Sequence, residues 1–539
     1  MKTILIFLIS YSLYSQVTQQ WVSYYNGPGP SGLASDIAIA SVSDAQGNTY
    51  VTGRSANSDF SNFDIATVKY NSEGVQQWSM RYAGSQNRND QGQAITADGS
   101  GNIYVTGYSE TNSGGSQMIT IKYNPAGVQQ WVVLYTPPYS SAVGNSITTD
   151  LLNNVYVTGW SDTLAGTGFR QYTTIKYNSA GVQQWIKKYS LNNWDAEAVM
   201  IKLDQNANVY VTGKSFAQGS SQWDFATIKY NTGGDLQWIS RYTSSPGVTD
   251  DEAAALCVDG SGNVYVTGKG SYSSGSPFDY VTIKYNSSGG EMWVTRYNGT
   301  GNQSDAATCI AADISGNIYT GGSSFGGPSE GNDFAVIKYN SAGIQQWANR
   351  YNFSNNDQIY SLKLDDSSNV YIAGFDGAYK TIKYNSAGIE KWNARFSSNS
   401  TISDYFPLLS IDGLNNVIIS GSSILSPQNS YDYTVIKYSQ ITGIQTVNAE
   451  IPKESSLLQN YPNPFNPSTK IRFSIAEASN TKIILFNSAG QLVLTLAESF
   501  LKPGNYELDW IGSWLASGTY YYRLTSGKYS ETRKMILLK

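Results

Sequence analysis

The sequence of 539 residues contains no histidine and only two cysteines, and 14% of its residues are charged. Without histidine the chain cannot form a serine–histidine or cysteine–histidine nucleophile, a histidine-ligated zinc site or a histidine acid–base catalyst. Cys257 and Cys309 are too few for a four-cysteine zinc site or a disulfide framework. They allow either one disulfide or two small buried thiols.

Methionine is also scarce, whereas 51 glycines and 41 tyrosines favour strands and turns over helices. The net charge of −5 is unevenly placed. Residues 455–539 carry nine basic against five acidic residues, which is +4 and leaves −9 for the remainder. An acidic body offers no electrostatic footprint for a phosphate backbone, so we expect no nucleic-acid partner.

Long apolar runs are confined to the N-terminus, where residues 4–13 follow Lys2 and precede small residues. This pattern predicts a secretory signal peptide over residues 1–15, with Gln16 as the first residue after cleavage. An ordinary core strand or helix is the alternative. No later stretch approaches the ~20 apolar residues that span a bilayer, so we expect no transmembrane helix after signal removal.

The body of the chain is an eight-fold repeat. Its tryptophans recur at intervals of 45 to 57 residues: Trp21, Trp78, Trp131, Trp185, Trp238, Trp293, Trp347 and Trp392. Two further phrases recur between them, Asn-Val-Tyr-Val-Thr-Gly at 263–268 and Thr-Ile-Lys-Tyr-Asn at 227–231. Each unit holds four short strand patterns separated by turn residues. This predicts an all-β, eight-bladed β-propeller with four-stranded blades over residues 16–440, and we expect the tryptophans to lie in its core.

The repeat begins with a tryptophan strand at 20–25 and ends on a Lys-Tyr strand at 433–438. The last blade is therefore one strand short. We expect the N-terminal strand to complete it, which would remove two exposed sheet edges.

One copy of the recurring phrase, residues 259–268, reads Asp-Gly-Ser-Gly-Asn-Val-Tyr-Val-Thr-Gly. It resembles the secreted propeller repeats of the SBBP type, and the resemblance covers about residues 20–440. It implies a fold rather than a ligand. Copies seven and eight depart from it, because residues 365–369 lack the glycine and Ile418 replaces the tyrosine.

Antiparallel geometry places the two tight turns of every unit on one face and the two long connections on the other. We call these the tight-turn face and the long-loop face. The long connections vary between units, so any binding site is expected on the long-loop face.

Three sets of residues fall on that face. One set consists of aspartates that begin the innermost strands: Asp36, Asp90, Asp251, Asp305, Asp357 and Asp404. They form either a site for calcium or a polyhydroxyl ligand, or caps for local backbone amides. Four Asp–Arg pairs, such as Asp64 with Arg81, are expected to be scaffold.

The third set consists of aromatic residues outside the repeat register: Trp160, Trp194, Trp223, Tyr139, Phe169, Tyr272 and Phe353. Such residues suit stacking on sugar rings or protein partners, and local loop packing is the alternative. The many aspartates single out no catalytic pair. We therefore assign no catalytic residue.

The repeat stops near residue 440, and a polar linker is expected over 441–455. Alternating strands then predict a small immunoglobulin-like β-sandwich over 456–539. Three phrases stand out there: Tyr461, Pro462, Asn463, Pro464, Phe465, Asn466 and Pro467; residues 518–524, including Gly518 and Tyr520; and the final residues from Lys534 to Lys539.

Together these phrases are similar to the type A C-terminal sorting domain of the type IX (Por) secretion system. The resemblance implies a Bacteroidetes-like bacterium, the type IX machinery and its sortase as partners, and delivery to the outer-membrane surface or the medium. Family members are often cleaved near this domain and then anchored or released. A structural sandwich without a sorting role is the alternative.

The sequence as a whole favours a secreted or cell-surface propeller that binds a glycan or a protein. Two alternatives stay open at this point: an extracellular glycosidase or lyase that acts on polysaccharide, and a purely structural surface component.

Overall fold

The computed structural model describes residues 17–28, 35–59, 61–137, 141–163, 168–216, 222–244, 249–273, 275–327, 331–353, 356–398, 405–413, 415–424, 430–440, 444–448, 451–512 and 515–538. The predicted signal peptide, Tyr139, Asp404 and Lys539 lie outside these ranges. All regular elements within them are β-strands. The strands form ten four-stranded sheets, eight in the repeat region and two in the C-terminal region.

The repeat strands, in chain order, are β1 Val17–Tyr25, β2 Asp36–Ser43, β3 Thr49–Ala56, β4 Phe63–Tyr70, β5 Gln76–Tyr82, β6 Asp90–Ala97, β7 Ile103–Glu110, β8 Ser116–Tyr123, β9 Gln129–Tyr135, β10 Ala142–Thr149, β11 Val155–Asp162, β12 Arg170–Tyr177, β13 Gln183–Tyr189, β14 Ala196–Leu203, β15 Val209–Phe216, β16 Trp223–Tyr230, β17 Leu236–Tyr242, β18 Asp251–Val258, β19 Val264–Ser271, β20 Phe278–Tyr285, β21 Glu291–Tyr297, β22 Asp305–Ala312, β23 Ile318–Gly327, β24 Gly331–Tyr339, β25 Gln345–Tyr351, β26 Gln358–Leu364, β27 Val370–Phe375, β28 Tyr379–Tyr384, β29 Glu390–Phe396, β30 Tyr405–Ile411, β31 Val417–Ile424 and β32 Tyr431–Gln440.

Blades 1 to 7 each take four consecutive strands, from β2–β5 to β26–β29, whereas blade 8 has the order β1-β32-β31-β30. The innermost strands of successive blades contact one another, and β30 contacts β2, so the ring is closed. The predicted eight blades and their closure by the N-terminal strand are confirmed. At the closing edge, the Gln20 side-chain amide donates a hydrogen bond to the Ser439 hydroxyl at 2.6 Å.

The tight-turn face is built by the same hydrogen bonds in seven blades. In blade 5 the Asp259 carboxylate accepts the backbone N–H groups of Ser261 and Asn263 at 2.9 Å and the Tyr265 hydroxyl at 3.0 Å. Equivalent aspartates serve the other six blades: Asp44, Asp98, Asp150, Asp204, Asp313 and Asp365. In blade 8, where Ile418 replaces the tyrosine, Asp412 pairs with Lys437 at 2.8 Å.

The repeated tryptophans link neighbouring blades. The Trp78 indole N–H donates to the Pro125 carbonyl at 3.2 Å, and its ring lies 2.8 Å from the point where a Cβ on Gly127 would be. The same contact recurs around the ring and includes Trp21 on Gly74, which joins blade 8 to blade 1. The tryptophans pack against the blade cores as predicted, but seven of the eight do so as half-buried residues, because the fourth strand is the outer edge of each blade. Of the eight, Trp392 alone is fully buried.

The C-terminal region belongs to a different compact unit from most of the propeller. Its strands are β33 Ile444–Asn448, β34 Ser456–Leu457, β35 Ser468–Ile475, β36 Ser479–Phe486, β37 Leu492–Leu501, β38 Gly504–Ile511, β39 Gly518–Ser526 and β40 Tyr529–Leu537. They make two sheets, β33-β38-β35-β34 and β37-β36-β39-β40. Inward-facing residues of both sheets, among them Phe473, Ile483 and Tyr522, share one buried core.

Candidate functional site

The predicted aspartates lie at the start of the innermost strands or, for Asp357, directly before that strand, and at most 1% of the surface of each described one is exposed. Their carboxylates accept backbone N–H groups from the loop that enters each blade. The donors are Gly27 to Asp36 and Gly84 to Asp90 at 2.6 Å, Ser244 to Asp251 at 2.6 Å, Gly299 to Asp305 at 2.7 Å and Phe353 to Asp357 at 2.7 Å.

This geometry fastens the connecting loops to the ring. Within the part of the chain that the structure describes, no three carboxylates or thiols converge on one point in the manner of a metal site. The calcium or polyhydroxyl hypothesis therefore remains a prediction. Burial raises the pKa of Asp90 and Asp251 to about 6, even though their hydrogen bonds act in the opposite direction.

The four predicted Asp–Arg pairs are ion pairs, and they lie diagonally across the third and fourth strands. Their N–O distances range from 2.6 to 3.8 Å: Arg350–Asp333, Arg81–Asp64, Arg241–Asp224 and Arg296–Asp279. In blade 8 the fourth strand comes from the N-terminus and carries Tyr24 at the arginine position. Among the described residues the corresponding Asp432 has no arginine partner, and burial together with the charge of Asp36 raises the pKa of Asp432 to about 7.

The long-loop face carries repeated cation–aromatic contacts. They join the second and third strands of a blade: Arg54 lies 4.7 Å from the ring centroid of Phe63, Lys214 4.4 Å from that of Trp223, and Lys269 4.7 Å from that of Phe278. In blade 3 the two residue types are exchanged, so that Arg170 on the third strand lies 3.9 Å from Trp160 on the second. Two of the predicted aromatics thus belong to a repeated contact in which a cation covers the ring.

Two glutamates connect these contacts from blade to blade. Glu197 pairs with Arg170 and with Lys214, the latter at 3.7 Å. Glu252 pairs with Lys214 at 3.5 Å and with Lys269 at 3.3 Å. We call the resulting set the blade 3–5 belt; it comprises Trp160, Arg170, Glu197, Lys214, Trp223, Glu252, Lys269 and Phe278.

Trp194 and Phe169 pack on each other beside the belt, with ring centroids 5.5 Å apart. Phe169 directly precedes Arg170 of the belt, and 38% of the surface of Trp194 is exposed. The structure therefore brings four of the predicted aromatics, Trp160, Phe169, Trp194 and Trp223, to adjoining parts of blades 3 and 4.

The two other described candidates lie elsewhere on the ring. Tyr272 is 70% exposed on a loop of blade 5 and contacts Arg296, while Phe353 is 55% exposed between blades 6 and 7 and contacts Arg395. Sequence reasoning missed the belt glutamates and cations. An alignment of the repeat units would have revealed most of them as charged residues that break the repeat at two positions. One position directly follows the glycine of the recurring Asn-Val-Tyr-Val-Thr-Gly phrase, and the other is the second residue of the innermost strand.

The two cysteines are free thiols. Both lie on innermost strands, in blades 5 and 6. Burial raises the pKa of each to about 12, so neither is an activated nucleophile. The sequence allowed either one disulfide or two thiols, and the structure shows two thiols.

In the C-terminal unit the three distinctive phrases come together. Asn463 accepts the Ile536 backbone N–H at 2.8 Å through its side-chain oxygen, and Phe465 exchanges backbone hydrogen bonds of 2.9 Å with Ile536 and Leu538. The Tyr522 hydroxyl donates to the Leu458 carbonyl at 2.7 Å. Phe465 is buried against Trp510, whereas Tyr461 is 78% exposed.

Comparison with protein families identifies both parts of the chain. A model described as a secretion system C-terminal sorting domain matches residues 459–538, and a model described as a beta-propeller repeat, SBBP, matches residues 77–114 and 130–163. The chain carries SBBP β-propeller repeats and a type IX C-terminal sorting domain. A protein with this sorting domain is handled and secreted by the type IX system. No helix in the described ranges is long and apolar enough to cross a bilayer.

The chain with these SBBP repeats also has more distant similarities. An uncharacterized WD repeat-containing protein of Acanthamoeba polyphaga mimivirus is 23% identical over 309 residues, which is 49% of this chain and 21% of that protein. The chain thus matches about a fifth of that relative's length.

Two solved structures are similar in shape. Sqt1 from Chaetomium thermophilum is 9% identical with a TM-score of 0.47, covering 79% of this chain and all of that one. The beta-propeller domain of the Trilobed protease from Pyrococcus furiosus is 8% identical with a TM-score of 0.38, covering 65% and 95%.

Proposed function

We propose that this secreted propeller is a binding protein and that it recognises a glycan on the long-loop face of blades 3 and 4. The observation that carries the proposal is the exposed Trp194, which packs on the half-buried Phe169 beside the blade 3–5 belt. An aromatic face stacks on the apolar face of a sugar ring, and the neighbouring charged groups can bond its hydroxyls.

The repeat itself supports this location. The tight-turn face repeats one set of hydrogen bonds, whereas Trp194 and Phe169 lie on long connections that differ from blade to blade. Binding residues are concentrated on variable loops held by a rigid scaffold. We also propose that the protein is displayed on the outer-membrane surface or released after its sorting domain is removed.

The test is a glycan-array screen of the secreted protein, run with calcium and with a chelator. We expect binding that Trp194→Ala weakens about tenfold, since one stacked ring contributes energy of that order. Ile314→Ala is the matched control, because Ile314 is fully exposed on the tight-turn face. A blank array, or equal losses in both variants, would overturn the glycan proposal; loss with the chelator would assign calcium a role.

A further inference from the structure

One residue of each innermost strand occupies the same level of the ring. It pairs with the tyrosine of the recurring phrase, or with Ile418 in blade 8. These eight residues, which we call the channel ring, are Val42, Thr96, Thr148, Lys202, Cys257, Ala311, Lys363 and Ser410. Because the innermost strands surround the propeller axis, the ring marks one level of the central channel.

Two members of the channel ring are lysines. Lys202 belongs to blade 4 and Lys363 to blade 7. Both side chains are exposed, and neither ammonium has a hydrogen-bond or ion-pair partner among the described residues. Their positive charge is therefore uncompensated by a direct contact within that part of the protein.

The lysines that recur in the repeat, in contrast, have hydrogen-bond partners. The lysine of the Lys-Tyr phrase donates to a carbonyl of the next blade, as Lys122 does to Ser179 at 3.1 Å and Lys176 to Thr232 at 3.0 Å. The same ammonium groups lie over a tyrosine ring of their own blade. The repeat thus provides contacts for its recurring lysines. Lys202 and Lys363 do not belong to the repeated pattern and lack such contacts among the described residues.

The pKa values of the two lysines shift in the same direction. Although both side chains reach solvent in the channel, the surrounding wall partly desolvates their ammonium groups and lowers the pKa of both, and the charge of Lys202 further lowers the pKa of Lys363. The groups that act in the opposite direction are the thiols of Cys257 and Cys309 rather than carboxylates. A body with a net charge of about −9 thus holds two cations that repel each other in its channel.

We propose that the central channel binds a small oxyanion between Lys202 and Lys363. Carboxylate, sulfate and phosphate share the required chemistry, since each accepts charge-assisted hydrogen bonds from ammonium groups. The hydroxyls of Thr96 and Thr148, at the same level of the ring, would supply further donors. This site is separate from the glycan surface proposed above, so either proposal can fail alone.

The experiment is calorimetric titration of the full secreted chain with sodium sulfate, sodium phosphate and sodium glucuronate at constant ionic strength. We expect binding of at least one anion. Lys202→Met should weaken it about tenfold, and the double variant with Lys363→Met should abolish it. Lys202→Arg, which keeps the charge, should retain binding, as should Lys528→Met in the C-terminal unit. Sulfate or phosphate binding would identify a free inorganic ion as sufficient, whereas glucuronate binding alone would indicate a sugar carboxylate.

Protection from acylation locates the anion independently of stability. The bound anion should slow acylation of Lys202 and Lys363 but not of Lys528, measured by mass spectrometry of peptides. No binding at millimolar anion would overturn the proposal. Unchanged binding by a folded double variant, or protection of neither channel lysine, would overturn it as well.

Discussion

The two faces of the propeller differ in how strictly they follow the repeat. On the tight-turn face, seven blades hold the same aspartate–asparagine–tyrosine hydrogen bonds, and successive tryptophans pack on glycines of the next turn. On the long-loop face, cation and aromatic exchange places between blades 3 and 4, and two glutamates join neighbouring blades. The repeated face specifies the ring, and departures from the repeat mark where this propeller has chemistry of its own.

We expect the largest loss of stability from removing β1, the strand that gives blade 8 the same four strands as the other blades. Deleting residues 17–25 removes the edge partner of β32 and the Trp21 contact with Gly74. We expect the unfolding free energy of the propeller to fall by about 5 kcal/mol or cooperative unfolding to be lost. Thermal and urea unfolding of the purified protein measure this. An unchanged melting temperature would contradict the closure.

Removing one aspartate of the tight-turn face should lower the free energy of unfolding far more than removing an acidic residue of the long-loop face. Asp259→Ala leaves the Asn263 amide and the Tyr265 hydroxyl without their acceptor, and we expect a loss of about 2–4 kcal/mol. Glu252→Ala, which breaks two partly exposed ion pairs, should cost about 1 kcal/mol or less. Urea denaturation of both variants gives the difference, and equal losses would show that the two faces do not differ in this way.

Two glycines with nearly identical backbone angles isolate the tryptophan contact. Gly127 has φ +82° and faces the Trp78 ring, whereas Gly114, on a long loop of blade 2, has φ +84° and open space around it. Alanine strains the backbone at both positions, but only at residue 127 does its Cβ also meet a ring at 2.8 Å. We expect Gly127→Ala to be the more destabilising by about 1–3 kcal/mol in equilibrium unfolding. Equal losses of stability at the two positions would mean that the Trp78 ring moves aside at no energetic cost.

The smallest effect concerns Asp432, where the closing blade lacks the arginine of its neighbours. Its pKa is raised to about 7 in the folded protein, so its contribution to stability is complete below the unfolded pKa and is lost as the pH rises toward 7. We expect Asp432→Asn to stabilise the protein at pH 8 by about 1–2 kcal/mol and to have little effect near pH 4. Melting temperatures across this pH range measure it.

Asp333→Asn is the control for that experiment. It removes the 2.6 Å partner of Arg350 and should destabilise the protein at pH 8. If both substitutions destabilise it there, Asp432 is not an uncompensated buried charge.

The fold was predictable from sequence because turn chemistry is local. The aspartate, asparagine and tyrosine of each tight turn lie within seven residues of one another, and the spacing of such phrases is visible without a structure. The closing strand followed from the phase of the repeat, because a series that starts with strand four lacks strand four at its end. The contact of the tryptophans with the core was predictable from residue type, but their half-exposure was not, because strand order within the blade sets exposure.

The candidate site was predictable only in part. Aromatics outside the repeat register pointed to Trp194 and Trp160, yet the contacts that surround them join residues 9 to 38 positions apart in sequence, such as Lys214 with Trp223 and Lys214 with Glu252. The channel lysines require strand register as well, since only the pairing of Lys202 with Tyr210 and of Lys363 with Tyr371 shows that they share one level.

Blade 8 joins β1, the first strand of the propeller in chain order, to β32, the last. A growing chain therefore keeps β1 without its partner until every other strand has been made. No product that stops short of β32 can close the ring, however well its individual blades form. The sorting domain lies beyond β32, so a chain that presents the type IX address already contains every strand needed to complete the propeller.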